Sequence, residues 1–492
     1  MVRRNAYQGF LTIVMVAAAA APFTHSKAAH ANPTFTLTSM SATVSGTNVT
    51  ATANVQASPQ ATAEYAGICV RDASDRIWDF DKRTNHTIST TGTTLNGSGK
   101  TFDAGTYTYF VCLSVNNVWY QAGASKTFTV GGGTTVPPGS SYGDNALGRW
   151  RSAVANRNSQ PATWVAWGDS FTEGQGASSR PDRWIDKALG SLRNTYPTTG
   201  VTGGAGYLPS FYATYAPDST WMPFTSSGGS HTWEDWGGSL GNRIVNMSAG
   251  GYETFTVTGT SVDILYSRGA GGTFSYKVDS GAPVNVSTSG SYDPSSHVHV
   301  TFTTPGTHTV TITGVSGTSY LEGLMVYNGD ETKGIRLYDA AHTGATTDDF
   351  TSSMWDQAEI TATAKADLVT VALGANDYLS GSETPAGVTA NLQEMIDSIR
   401  SKASTHSTHQ PSIAVVIPWD FSAYGSINGY TWSDFVDAIR DVAAADSSVA
   451  LLDLTSTGSP AGVGGGLYAS DGLHPSNSGQ AAISAAAASF LD

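Results

Sequence analysis

Ser170 stands where an apolar stretch, residues 163–167, stops at Gly168-Asp169 and the chain turns toward a helix. A serine at the carboxyl end of a buried strand occupies the position at which open α/β sheets carry their chemistry. To act as a nucleophile it needs a base, a group that orients the base, and donors for an oxyanion. Asp471 and His474, in Asp471-Gly472-Leu473-His474-Pro475, have the types and spacing for the first two tasks. On one turn of chain the carboxylate reaches Nδ1–H of the imidazole and leaves Nε2 to face the serine. The Ser170 amide, the Gly344 amide and the Asn376 side chain are the candidate oxyanion donors. Glycine at 344 lets a substrate oxygen come close to the backbone.

Other residues compete for attention. Gly139-Ser140-Ser141-Tyr142-Gly143 matches the G-x-S-x-G nucleophile elbow, but Pro137-Pro138 precedes it where the elbow requires a strand. His297 and His299 share one face of a strand without a third ligand at suitable spacing, which fits an exposed polar face. Trp221, Trp233 and Trp236, with Tyr207 and Phe224 nearby, are candidates for stacking on a substrate, against the usual role of tryptophan in cores. No phosphate loop or dinucleotide fingerprint is present.

The candidate residues must be brought together by the elements that carry them. Short buried strands are predicted at 163–167, 335–341, 367–373, 412–418 and 449–454, and helices at 183–196, 388–401, 432–445 and 479–491. In the first helix Trp184, Ile185, Ala188, Leu189 and Leu192 form one apolar stripe. Strands alternating with helices predict a three-layer α/β fold around a five-stranded parallel sheet. Ser170, Gly344, Asn376 and the Asp471–His474 pair each follow a strand, so all meet at its carboxyl edge. Residues 205–330 alternate apolar and polar positions and carry hairpin signals such as Asp279-Ser280-Gly281-Ala282, predicting a β-sandwich inserted between the first two strands.

The set Gly168-Asp169-Ser170, Gly344, Gly374-Ala375-Asn376-Asp377 and Asp471-Gly472-Leu473-His474 resembles the SGNH/GDSL hydrolases. The resemblance covers roughly 148–204 and 331–492. It implies a flavodoxin-like sheet, Ser170 as nucleophile, His474 as base, Asp471 completing the triad, and Ser170, Gly344 and Asn376 as oxyanion donors. It also implies that no metal or organic cofactor is needed. Phe171 replaces the leucine of the GDSL signature, at a position that does not touch the chemistry. Asp377 beside Asn376 reads as a helix cap.

The chain of 492 residues is 13% charged with a formal net charge of −14, which disfavours nucleic acid and anionic membrane surfaces as partners. Residues 1–31 read as a signal peptide: Arg3 and Arg4, then an apolar run too short to span a bilayer, then Ala29-His30-Ala31. An exported, released protein is expected. Residues 32–130 carry short alternating strands and turn signals and read as an immunoglobulin-like accessory module, in which Cys69 and Cys112 are expected to pair. Tyr107 lies five residues before Cys112 rather than two, so the tyrosine corner is not reproduced. A Gly/Pro/Ser linker occupies 131–147, and the hydrolase domain runs from 148 to 492. The expected activity is that of a secreted serine esterase acting on an acylated polysaccharide, most simply on an O-acetyl group. A GDSL-type lipase or phospholipase, and a non-catalytic glycan-binding protein on the same fold, are the alternatives.

Overall fold

The computed structural model describes residues 33–492 except 46–47, 72–79, 81–82, 103–104, 117, 131–140, 212–223, 230, 235–237, 353–355, 407 and 458–465. The segment read as a signal peptide, with Trp221 and Trp236, therefore lies outside the described residues. The chain divides into two units, 1–133 and 134–492.

Alternation builds the first unit. In β2 (Asn48–Ser58) Val49, Ala51, Ala53, Val55 and Ala57 point inward while their neighbours face solvent. Among the described residues seven antiparallel strands form two sheets. One contains β1 (Thr34–Ser45), β2 and β5 (Thr93–Thr101). The other orders β4 (Arg83–Ile88), β3 (Ala61–Arg71), β6 (Gly105–Val115) and β7 (Val118–Val130). Val55, Ile68, Phe102, Val111 and Phe128 share their common core. Cys69 and Cys112 are disulfide-bonded, as expected, but between β3 and β6 of one sheet. In antibody domains the bridge joins the two sheets instead.

In the second unit β8 (Pro161–Gly168) is buried on both faces, which is why its sequence shows no alternation. Its two tryptophans satisfy their indole N–H groups inside the core, Trp164 on Thr370 at 2.9 Å and Trp167 on Thr361 at 3.0 Å. α1 (Gly148–Ala155) precedes the strand, and the single-turn α2 (Ser170–Glu173) and α3 (Trp184–Thr195) follow it.

The chain then enters nine strands, β9 (Gly206–Pro209), β10 (Phe224–Gly228), β11 (His231–Glu234), β12 (Ile244–Ser248), β13 (Tyr252–Arg268), β14 (Thr273–Val278), β15 (Val284–Ser287), β16 (Asp293–Ser316) and β17 (Thr318–Tyr327). These strands are joined in one antiparallel hydrogen-bonded network, with β9 and β10 branching from β17 and β13. The long strands β13 and β16 run through both of its halves, and their register shifts beyond the Gly259–Gly306 pair. Phe255 and Val257 on one side of Gly259, and Val262 and Ile264 on the other, contribute to a single core.

The chain returns as β18 (Gly334–Ala341), followed by α4 (Thr347–Thr351), α5 (Gln357–Thr363), β19 (Leu368–Ala372), α6 (Ala375–Ser380), α7 (Pro385–Thr405), β20 (Ser412–Ile417), α8 (Trp432–Ala445), β21 (Val449–Asp453) and α9 (Asn477–Leu491). The parallel sheet orders β18-β8-β19-β20-β21. The chain leaves β8 toward β18 on one side and later returns to fill β19 on the other. This reversal opens a crevice at the carboxyl end of β8, immediately before Ser170.

Candidate active site

Ser170 opens α2, and the residues around it fix the turn. A Cβ at Gly168 would come within 2.2 Å of the Thr172 hydroxyl, so the strand can end this tightly only on glycine. Asp169 caps α2, its Oδ1 accepting the Phe171 N–H at 2.9 Å. Gly174 ends the helix at φ 80°. The serine is thereby held at the crevice with only 9% of its surface exposed.

The structure brings His474 to it. Ser170 Oγ lies 2.8 Å from His474 Nε2, and His474 Nδ1 lies 2.7 Å from Asp471 Oδ2. The other carboxylate oxygen, Oδ1, accepts the N–H groups of Leu473 at 2.9 Å and His474 at 3.0 Å, so one aspartate shapes the turn and orients the ring. A carboxylate accepting at Nδ1 places the proton there, leaving the Nε2 lone pair for the serine hydroxyl. Burial pushes the Asp471 carboxyl up, but the Leu473 N–H and the His474 ring and N–H outweigh it and hold the group below the ordinary aspartate value.

The three candidate oxyanion donors sit differently. The Ser170 and Gly344 N–H groups are used by no other group among the described residues. Gly344 adopts φ 83°, and no atom lies within 4 Å of where its Cβ would be, so it faces open space. Its loop is tied to the serine turn by His342 N–H, which donates to Gly168 O at 2.9 Å, and by a short hydrogen bond from Thr343 Oγ1 to Glu173. Asn376 Nδ2 donates to Ala345 O at 2.9 Å and to Asp169 Oδ2 at 3.2 Å. Both its amide hydrogens are engaged, and serving an oxyanion requires loosening the longer bond to Asp169.

Two further carboxylates surround the site. Burial pushes Asp169 up to about 7; the Phe171 N–H opposes this, while Asp377 and Glu173 add to it. Asp377 does not cap its own helix, whose N-cap is Gly374. Its carboxylate accepts the Thr347 N–H, at 3.1 and 3.0 Å from its two oxygens, and the Thr347 hydroxyl at 2.6 Å. It thus locks the helix after Gly344 to the helix carrying Asn376. Burial raises its pKa, with the Thr347 contacts opposing.

A cavity of about 20 Å³ opens beside Ser170 and His474, lined by Phe171, Ala375, Leu379, Phe421 and Leu473. Asp169 and Asn376 complete the lining, and since about 10–15 Å³ on the same scale admits one water, there is room for a small group beside the serine.

The competing residues lie elsewhere. Ser141 Oγ accepts the Asp453 N–H at 3.0 Å at the end of β21. His299 is held by Asp263 at 2.8 Å and Thr301 at 3.1 Å on an exposed strand face. Tyr207 is wholly buried and donates to Glu322 O at 2.7 Å, a core role. Of Trp233 only the backbone, in β11, is described. Glu173, Thr343 and Thr347 were not anticipated. The only sequence sign of them is their nearness to Ser170 and Gly344.

Residues 311–482 match the GDSL-like Lipase/Acylhydrolase family. The match includes Gly344, Asn376, Asp471 and His474 but leaves out Ser170, which the inserted sheet separates from the rest. No curated protein matches the chain. Among solved structures the fold is similar to that of a peptidoglycan O-acetylesterase, at 16% identity and TM-score 0.53, covering 70% of this chain and 94% of that one. A family two carbohydrate esterase from Cellvibrio japonicus aligns at 12% identity and TM-score 0.25, over 54% and 96% of the two chains. A salicylyl-acyltransferase from a tetracycline biosynthetic pathway aligns at 14% and 0.28, over 54% and 91%.

Proposed function

We propose that this chain, an ester hydrolase carrying a GDSL/SGNH hydrolase domain, removes small acyl groups, most simply acetyl, from an extracellular polysaccharide. The observation that carries the reading is the unbroken hydrogen-bond chain Ser170–His474–Asp471 beside a cavity of about 20 Å³. Ser170 Oγ attacks the ester carbonyl while its proton passes to His474 Nε2. The Ser170 and Gly344 N–H groups, joined by Asn376, hold the oxyanion. On collapse the alcohol oxygen leaves with the His474 proton, and an acyl-serine remains. Water then gives its proton to His474 and attacks the acyl carbon, releasing the carboxylic acid and returning the proton to Ser170.

A sugar ester is chosen over a lipid because the lining described beside Ser170 and His474 mixes Asp169 and Asn376 with its apolar side chains rather than being apolar throughout. The fold neighbour described as a peptidoglycan O-acetylesterase is consistent with that choice. Export is supported by the Cys69–Cys112 disulfide. No helix among the described residues is long and apolar enough to cross a membrane. The test compares p-nitrophenyl acetate, p-nitrophenyl palmitate and an acetylated polysaccharide, with Ser170→Ala as control. Acetate and polymer should be hydrolysed and palmitate spared. Palmitate turnover well above acetate would overturn the substrate class, and equal rates for protein and variant would overturn the nucleophile.

A further inference from the structure

We infer that Arg243, in the inserted segment just before β12, is a positioning residue for the oxyanion hole. This rests on the esterase reading with Ser170 as nucleophile. Arg243 precedes β12 and is wholly buried, as are Arg183, Glu173 and Asp339. Its Nη1 lies 3.3 Å from Glu173 Oε1, and its Nη2 lies 3.3 Å from Asp339 Oδ1 and also donates to the Asp339 carbonyl. Arg183 closes the group from the other side, donating to Asp339 Oδ2 at 2.7 Å, to Glu173 O at 3.1 Å and to Asp186 at 2.6 Å. Arginine serves here because a planar fork reaches two carboxylates at once, which an ammonium does not.

What makes the group more than a structural seam is where it ends. Glu173 is the last residue of the helical turn that Ser170 opens, and its second oxygen takes the Thr343 hydroxyl. Thr343 immediately precedes Gly344. Asp339 lies on β18, the strand that runs into the same loop. Glu173 therefore spans the nucleophile's turn and the loop of the second oxyanion donor, and Arg243 fixes Glu173. The neighbouring insertion residues press on the same place. Gly241 O accepts from His342 Nδ1 at 2.6 Å, and a Cβ on Gly241 would meet Ala341 O at 2.4 Å. Misplacing a catalytic group by about 1 Å can cost on the order of 100-fold in rate. The insertion thus sets the distance between the serine and the Gly344 N–H.

The test uses the full chain with Thr343→Val, Thr343→Ser and Arg243→Lys, each checked for fold by circular dichroism. On p-nitrophenyl acetate, Thr343→Val and Arg243→Lys should lower kcat about 10- to 100-fold, the scale of a damaged oxyanion hole. KM should stay within about threefold, because the contact acts in the transition state rather than in ground-state binding. The acid limb of the pH–kcat profile should not move, since the His474–Asp471 pair is untouched, and Thr343→Ser should recover most of the lost rate. Unchanged kcat in a folded Arg243→Lys, unchanged kcat in Thr343→Val, or a rise in KM alone would overturn the proposal. If Arg243→Lys does not fold, the Thr343 pair decides. An inactive Ser170→Ala beside a fully active Thr343→Val would leave the esterase reading standing and remove only this one. An active Ser170→Ala would remove both.

Discussion

Asp471→Asn isolates one contact of the triad. The amide oxygen can go on accepting the Leu473 and His474 N–H groups, so the turn survives. What changes is the atom facing His474 Nδ1, now an N–H where the carboxylate oxygen stood at 2.7 Å. A donor facing a donor drives the ring proton to Nε2, where it points at Ser170 and cannot accept. In a fully enclosed triad this substitution costs about 10⁴-fold. Here the Asp471 side chain is 41% exposed, so water can take the place of the carboxylate and the amide can swing outward. Loss of the charge-assisted bond alone, discounted for that exposure to about 1–2 kcal/mol, gives a floor of roughly 5- to 30-fold. Between floor and ceiling, kcat/KM for p-nitrophenyl acetate is expected to fall about 100-fold, well short of the loss in Ser170→Ala. A fall below about threefold would mean that the carboxylate does not orient the base. A fall equal to that of Ser170→Ala would mean that its exposure brings no relief.

Gly344→Ala meets no steric obstacle but forces a side chain to φ 83°, costing about 1–2 kcal/mol and straining the loop that carries the candidate N–H donor. Its kcat should fall more than about tenfold, with only a few degrees lost in Tm by calorimetry. Asp169 is protonated more readily in the folded than in the unfolded chain, so its contribution is fully present below about pH 4 and is lost as pH rises through about 7. Urea unfolding of protein and Asp169→Asn should therefore give a stability difference that moves against the wild type by a few kcal/mol between about pH 4 and pH 8. A difference flat with pH would refute the raised pKa. Cys69→Ala with Cys112→Ala opens a loop with a sequence separation of 43. This should destabilise the first unit by about 4 kcal/mol in the chain-entropy description, read as a lower unfolding midpoint of that unit expressed alone or in the full chain.

The parallel sheet was legible because each of its strands is buried on both faces and reads as an apolar run closed by a turn. The predicted ends of β8, β18, β19, β20 and β21 fall within two residues of those observed. Ser170, Asp471 and His474 were legible because serine, carboxylate and imidazole at strand ends have few other reasons to recur in that order. The inserted sheet was legible in type but not in layout. Glycine ordinarily punctuates a strand, whereas Gly259 and Gly306 lie opposite each other inside the long strands β13 and β16. Buried charge escaped altogether. Nothing local distinguishes Glu173, Arg243 or Asp339 from solvent-facing residues, since their burial depends on partners far away in sequence. The engagement of both Asn376 amide hydrogens is equally a property of the assembled site.

The pairing of β9 with β17 bears on how this chain reaches its native state. Residues 206–209 hydrogen-bond to 323–326, so the inserted sheet begins and ends on adjacent strands. The parallel neighbours β8 and β18 are separated by roughly 165 residues, a loop whose closure entropy grows with the logarithm of its length. Once the insertion has formed, its entrance and exit lie side by side and the effective loop shrinks to a few tens of residues, easing closure by about 1 kcal/mol. The topology thus favours an order of events in which β13 and β16 acquire protection before β8 does, an order that pulsed hydrogen exchange during refolding would reveal directly.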